Sequence, residues 1–205
     1  MTEAAHPFIL GLTGSIAMGK STVAAMFAEV GVPLFDADAQ VRAMQGPGGA
    51  LVDEIEAMFP GSTGPEGVNR GVLGAIVFGD RDKLARLEAL IHPAVARQRE
   101  AFLRAHESAP FVLFDIPLLF EKTGTQGIDA VIVVSAPANV QRARALAREG
   151  MTPEKLADIL ALQLPDAAKR ARADYVIDTG GTLDKTRQQV ETLVEKLRAD
   201  LNAAR

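Results

Sequence analysis

Cysteine and tryptophan are both absent from this 205-residue chain, and histidine occurs only three times. Without thiols there is no disulfide, no thiolate metal ligand and no cysteine nucleophile. Their absence is compatible with a reducing compartment. The histidines stand far apart, at positions 6, 92 and 106, and offer no zinc set. An excess of positive charge is missing too. The net charge is −4, which gives no electrostatic case for nonspecific nucleic-acid binding, although local basic clusters can still hold phosphates. Nor is there a long hydrophobic run. The most apolar stretch, FVLFDIPLLF at 111–120, is far too short to cross a bilayer and carries Asp115. The N-terminal MTEAAHPF has no basic segment followed by an apolar run, so no secretory signal is predicted. Nothing repeats at a fixed period. A soluble cytoplasmic protein is expected, with no membrane or nucleic-acid partner and no obligate protein partner.

What is present begins with apolar residues, 48% of the chain, enough for a sizeable core. The most specific signal is GSIAMGKS at 14–21, which fits G-x-x-x-x-G-K-[ST]. Gly14 and Gly19 permit backbone turns that bulkier residues resist. The N–H groups of Ser15, Ile16, Ala17 and Met18 can then point inward as an anion nest. A helix beginning near Lys20 adds its positive dipole end. In such a loop the lysine, here Lys20, reaches the β- and γ-phosphates and the Ser21 hydroxyl can ligate Mg²⁺. Thr22 follows in the same turn. The flanks agree: FILGLT (8–13) reads as a strand, and in STVAAMFAEVG (21–31) Val23, Met26, Phe27 and Val30 recur at helical spacing before Gly31.

Further along, VPLF (32–35) reads as a second strand ending in DADAQVR (36–42). From about 38 to 108 the pattern is helical, with QGPGG (45–49) and PGSTGPEG (60–67) as loops and a kink or break expected at Pro93. FVLFD begins a buried strand followed by a loop, and DAVIVVSA (129–136) is another buried strand. NVQRARALAREG (139–150) is a helix with a basic face. Thr152 and Pro153 mark the start of the next helix. ADYVID (173–178) is a last short strand, and 182–201 a closing amphipathic helix. Short apolar strands alternating with helices predict an α/β fold: a five-stranded parallel sheet covered by helices on both faces. The helical run between strands two and three is too long for a simple crossover. In such sheets ligands bind beyond the carboxyl ends of the strands.

GLTGSIAMGKSTV, DADAQVR, NRGVLGAIVFGD, LEALIHPAV, FDIPLLFE and QRARALAREGMT occur in this order from residue 8 onward. Together they resemble the dephospho-coenzyme A kinase family of P-loop kinases. HP within LEALIHPAV and the PLLFE block set that family apart from other P-loop kinases. The resemblance implies transfer of the γ-phosphoryl of ATP to the ribose 3′-hydroxyl of dephospho-coenzyme A, with Mg²⁺. It also implies a P-loop kinase fold in three parts: a nucleotide core (1–37, 109–137 and 172–205), a helical acceptor domain (38–108) and a lid (138–171). Two rival readings share the loop: a nucleoside or nucleotide kinase, and a non-catalytic ATP-binding switch.

Phosphoryl transfer asks for positioning, charge neutralisation and a group that takes the hydroxyl proton. Asp36 and Asp38 stand two apart and would share a face if the segment is extended. The resemblance assigns the base to Asp38, leaving Asp36 as a metal-water ligand or an orienting group toward the acceptor. The alternative is that both cap the next helix. Asp115 ends a strand and could hold Mg²⁺ through water, or act only as a surface carboxylate. Arg144 and Arg148 lie one helical turn apart. The resemblance places Arg144 at the transferring phosphoryl and Arg148 at the nucleotide; a solvated basic face is the plain alternative. His92, Arg42, Leu118 and Glu121 complete the expected acceptor site. Ala17, Met18 and Thr179 depart from the family's common wording.

Overall fold

The computed structural model describes residues 6–203; positions 1–5, on which most of the leader reading rests, lie outside them. By packing, the chain forms two compact units. One reaches to Phe35 and resumes at His106; the other is Asp36–Ala105.

In the first unit, β1 (Phe8–Thr13) leads through the glycine loop into α1 (Lys20–Glu29), which Val30 and the left-handed Gly31 (φ 81°) terminate. β2 is Leu34–Asp36. β5 (Phe111–Asp115), β6 (Ala130–Ser135) and β7 (Tyr175–Asp178) complete a five-stranded sheet in the order β2-β5-β1-β6-β7; β3 and β4 belong to the second unit. β1 pairs in parallel with β5 and β6, and β6 with β7. Burial on both faces explains the unbroken apolar runs. Along β6, Ala130, Ile132 and Val134 join the core under α1 and the closing helix α9 (Leu183–Ala203), while Val131 and Val133 face a second cluster with Leu119. That is the two-residue period of a strand with both faces covered. Phe27, fully buried between α1 and the sheet, contributes about 2 kcal/mol by burial alone. Two aspartates extend the ladder ahead of the strands. Asp129 accepts from the Ile9 N–H and Asp174 from the Val131 N–H, both at 2.7 Å.

After β6 come α6 (Ala138–Leu146), α7 (Pro153–Ala161) and α8 (Asp166–Arg170). Thr152 caps α7, its hydroxyl accepting from the Lys155 N–H at 3.2 Å, with Pro153 in the first turn. The loop expected after β5 is a tight π-helical turn over Leu119–Thr123.

The second unit has its own core of Met44, Leu51, Ile55, Phe59, Leu73, Leu87 and Ala94. It comprises α2 (Ala37–Gln45), α3 (Val52–Met58), a hairpin of β3 (Thr63–Gly64) and β4 (Gly67–Val68), α4 (Arg70–Val77) and α5 (Arg81–Ala105). One expectation is corrected here, and of the kink or break expected at Pro93 the break does not occur. PGSTGPEG holds a hairpin rather than a plain loop. Gly67, at φ 87°, has its backbone so close to Gln45 that a Cβ would lie 2.3 Å from that carbonyl oxygen. Glu56 braces the turn, accepting from the Gly61 N–H (2.7 Å), the Thr63 N–H and the Thr63 hydroxyl. Pro93 does not break α5, which runs through it for 25 residues. Proline removes one helical donor, but Ala89 and Pro93 are both exposed, so water can serve the orphaned Ala89 carbonyl. Leu87 and Ala94, on the buried side, hold the helix together.

No helix among the described residues is long and apolar enough to cross a membrane.

Candidate active site

The glycine loop lies between β1 and α1. Gly14 passes so close to β6 that a Cβ would fall 2.8 Å from the Val134 carbonyl oxygen. Gly19 caps α1 with a left-handed backbone (φ 87°, ψ 17°). Ala17 is left-handed too (φ 60°), the one such non-glycine residue among those described; side chains outside glycine visit this region at a cost of about 1 kcal/mol. Its methyl is offset by packing with Ala145 of α6 and Leu156 of α7.

Side chains from distant segments fasten this loop. Thr179, just past β7, donates its hydroxyl to the Met18 carbonyl at 2.7 Å. Gln141 donates to the Ile16 carbonyl at 2.9 Å, and Gln163 accepts from the Ile16 N–H at 3.0 Å. Thr13 donates to the Pro117 carbonyl at 3.2 Å. Lys20 is ion-paired with Asp115, which brings the ends of β5 and of the loop together. Ser21 and Thr22 stand exposed on the first turn of α1.

Around the loop is a cleft of about 380 Å³, lined by residues 14–22 with Pro117, Arg148, Ile159 and Gln163. A second cavity of about 230 Å³ adjoins it, lined by Gly19, Thr22, Arg144, Arg148, Thr179 and Gly181 among others. Arg148 lines both. Arg144 is turned to the segment after β7: its guanidinium donates to the Thr179 hydroxyl (3.0 Å) and carbonyl (2.7 Å). Of the two arginines, Arg148 therefore faces the phosphate cleft.

Glu121, on the π-helical turn next to Leu118, is not a solvated loop carboxylate. It accepts from the Leu164 N–H at 2.9 Å, and the fully buried Lys169 ammonium lies 2.7 Å away. Burial pushes its carboxyl up, but the Lys169 and Leu164 donors outweigh that and hold it below the usual glutamate value.

In the second unit, Asp36 accepts from the Ala39 N–H at 2.8 Å as the N-cap of α2, and its other oxygen faces Arg42 at 3.4 Å. Asp38 lies in the first turn of that helix, exposed. The two aspartates thus do not share the face of an extended segment; a cap and a first-turn residue point apart. His92 is exposed midway along α5.

This arrangement of strand, glycine loop, helix and paired lysine matches a known group. The family model described as dephospho-CoA kinase matches residues 8–185. The chain belongs to the dephospho-CoA kinase family. The Novosphingobium aromaticivorans protein named dephospho-CoA kinase is 66% identical over 94% of this chain and 96% of its own. The Mesorhizobium japonicum protein of that name is 51% identical over 93% and 96%. Among solved structures, a Thermus thermophilus protein superimposes with a TM-score of 0.76 at 34% identity, covering 94% of this chain and 98% of the other. As a member of the dephospho-CoA kinase family the chain is a transferase of P-loop kinase fold that takes its phosphoryl group from ATP.

Of the expected site residues, the structure brings 14–22, Asp115 and Arg148 into one neighbourhood. Reading the sequence missed Gln141, Gln163, Lys169 and the hub role of Thr179. A polar side chain that bonds a backbone group more than a hundred residues away leaves no periodic signal.

Proposed function

We propose that this chain transfers the γ-phosphoryl of ATP to the ribose 3′-hydroxyl of dephospho-coenzyme A, giving ADP and coenzyme A, the last step of coenzyme A synthesis. The observation that carries the reading is the complete phosphate loop in its strand–loop–helix setting, in a chain matched to the family over residues 8–185. The loop at 14–22 holds the nucleotide phosphates by its backbone N–H groups other than those of Ile16 and Met18, which Gln163 and the Ser15 carbonyl already engage, with Lys20 neutralising the β- and γ-phosphates. The cavity of Arg144, Thr179 and Gly181 takes the rest of the nucleotide. Arg148, on the cleft wall, meets the charge that builds on the transferring phosphoryl. Arg144 serves by tying α6 to Thr179 and so to the loop.

Asp38 takes the proton of the 3′-hydroxyl as its oxygen bonds to phosphorus and the bond to the ADP oxygen breaks. The helical unit, residues 36–105 where 38–108 was expected, is the proposed acceptor domain, with Arg42 and His92 on it, and Leu118 and Glu121 bordering the donor side. Residues 138–171 act as the lid. The groups that would hold Mg²⁺ are oxygens, the exposed Ser21 hydroxyl and Asp115, whose carboxylate is also paired with Lys20, and oxygen donors suit a hard cation that also ligates nucleotide phosphates. When bound, Mg²⁺ neutralises charge on the phosphates. Asp36 is spent on its cap and on Arg42 and is not assigned to the metal. The reaction is placed in the cytoplasm.

A coupled ADP-release assay with Mg-ATP tests this, comparing dephospho-coenzyme A, adenosine and AMP as acceptors. Turnover with dephospho-coenzyme A alone is expected. Turnover with adenosine or AMP in its place overturns the reading.

A further inference from the structure

Ile16 sits in the middle of the phosphate loop, and both of its backbone polar groups are held by glutamines from one distant stretch of chain. Gln141, buried on α6, donates to its carbonyl at 2.9 Å. Gln163, two residues past the end of α7, accepts from its N–H at 3.0 Å. The roles are fixed by the backbone: a carbonyl demands a donor and an N–H an acceptor, so each amide can face only one way. The next residue, Ala17, carries the left-handed backbone (φ 60°) and lies in one apolar cluster with Ala145 and Leu156, which come from those same two helices. A strained loop residue persists only where its surroundings over-determine it. Here the surroundings are α6 and α7, gripping the loop from both ends of their span.

We propose that Gln141 and Gln163 are positioning residues that hold the phosphate loop in its anion-binding shape and make the state of the α6–α7 segment felt as affinity for ATP. The proposal rests on the cleft being the ATP site. Neither glutamine needs to touch the acceptor, so their loss should fall on the nucleotide side alone. A purely structural role would lower stability and weaken both substrates together.

The test measures binding of an ATP analogue with an imido bridge between the β- and γ-phosphorus to the full chain, with KM for each substrate alongside. Gln141→Met and Gln163→Met keep the side-chain length and remove the bond. Each should weaken analogue binding about fivefold, the factor that one net hydrogen bond supplies, and leave KM for dephospho-coenzyme A unchanged. Glutamate variants separate the two roles. Both place the same charge beside Ile16, but Gln163→Glu can still accept from the N–H, whereas Gln141→Glu sets oxygen against oxygen. Gln141→Glu should therefore bind the analogue more weakly than Gln163→Glu. Wild-type affinity in both methionine variants, a parallel rise of both KM values, or indistinguishable glutamate variants would each overturn the proposal. Should the buried Gln141 variants fail to fold, judged by circular dichroism, the less buried Gln163 carries the test: weaker analogue binding by Gln163→Met with KM for dephospho-coenzyme A unchanged upholds it, and wild-type analogue binding or a parallel rise of both KM values overturns it. Analogue binding does not depend on the acceptor, so failure of dephospho-coenzyme A as a substrate would be seen separately, in wild-type turnover.

Discussion

Lys20, Arg144 and Glu121 each end on a defined partner, namely Asp115, Thr179 and Lys169, within the unit that holds the sheet. Asp38, Arg42 and His92, in the helical unit, stand exposed on helix surfaces, with only the wide Arg42–Asp36 pair among them. In the sheet unit the glycine loop is pinned by four side-chain contacts with little exposure, so the proposed nucleotide side is braced before any substrate arrives. The helical unit, the proposed acceptor side, carries Asp38, Arg42 and His92 on exposed helix surfaces, so any chemistry they perform rests on what they meet rather than on local bracing. Preorganised charge suits the side that must stabilise a developing anion. Exposed, well-hydrated groups suit the side that must receive and release a large polar substrate.

The sharpest way to break this contrast is on the chemistry. Asp38→Asn should lower kcat about 10³-fold, the scale of a lost general base, while the imido analogue of ATP binds as in wild type. Loss of analogue binding in that variant would place Asp38 on the nucleotide side. Lys20→Met should reduce kcat about 10²-fold or more and also weaken the analogue, since it removes a phosphate-facing charge; steady-state kinetics with calorimetric binding reads both.

Stability sharpens the comparison next. Lys169→Met leaves Glu121 as an uncompensated, mostly buried carboxylate and should cost about 3 kcal/mol in urea unfolding. Adding Glu121→Leu should return much of that, because the desolvation penalty then disappears with the charge. The same pair sets a pH dependence. Glu121 is held below its usual value of 4.5, so the unfolded chain binds its proton more readily. Its contribution is therefore fully present above that value and is lost as pH falls through the lower folded value. Melting temperatures between pH 6 and pH 3 should fall less steeply in Glu121→Gln than in wild type. The smallest effect belongs to the helical unit. Arg42→Ala removes an exposed, long ion pair and should change stability by less than about 0.5 kcal/mol, yet raise KM for dephospho-coenzyme A if that side chain meets an acceptor phosphate.

The phosphate loop, the sheet strands and the capped start of α7 were legible because each is written in neighbouring residues: a glycine pattern, an apolar run, a threonine before a proline. The hairpin at 63–68 was not, since Gly67 is demanded by the nearby backbone of Gln45, more than twenty residues earlier. The break that was one of the two outcomes expected at Pro93 is absent for a related reason. The local penalty of the proline is real, but packing of Leu87 and Ala94 into the unit's core outweighs one missing helical bond.

By itself, then, the sequence determined the α/β class, the anion-binding loop and the order of segments, because short-range patterning and backbone freedom act over a few residues. Only the tertiary structure decided that Arg148 rather than Arg144 faces the cleft, that Glu121 is buried against Lys169, and that two glutamines grip Ile16. Those outcomes depend on which side chains the folded sheet unit brings within hydrogen-bond reach, and distance in space is not encoded by spacing along the chain.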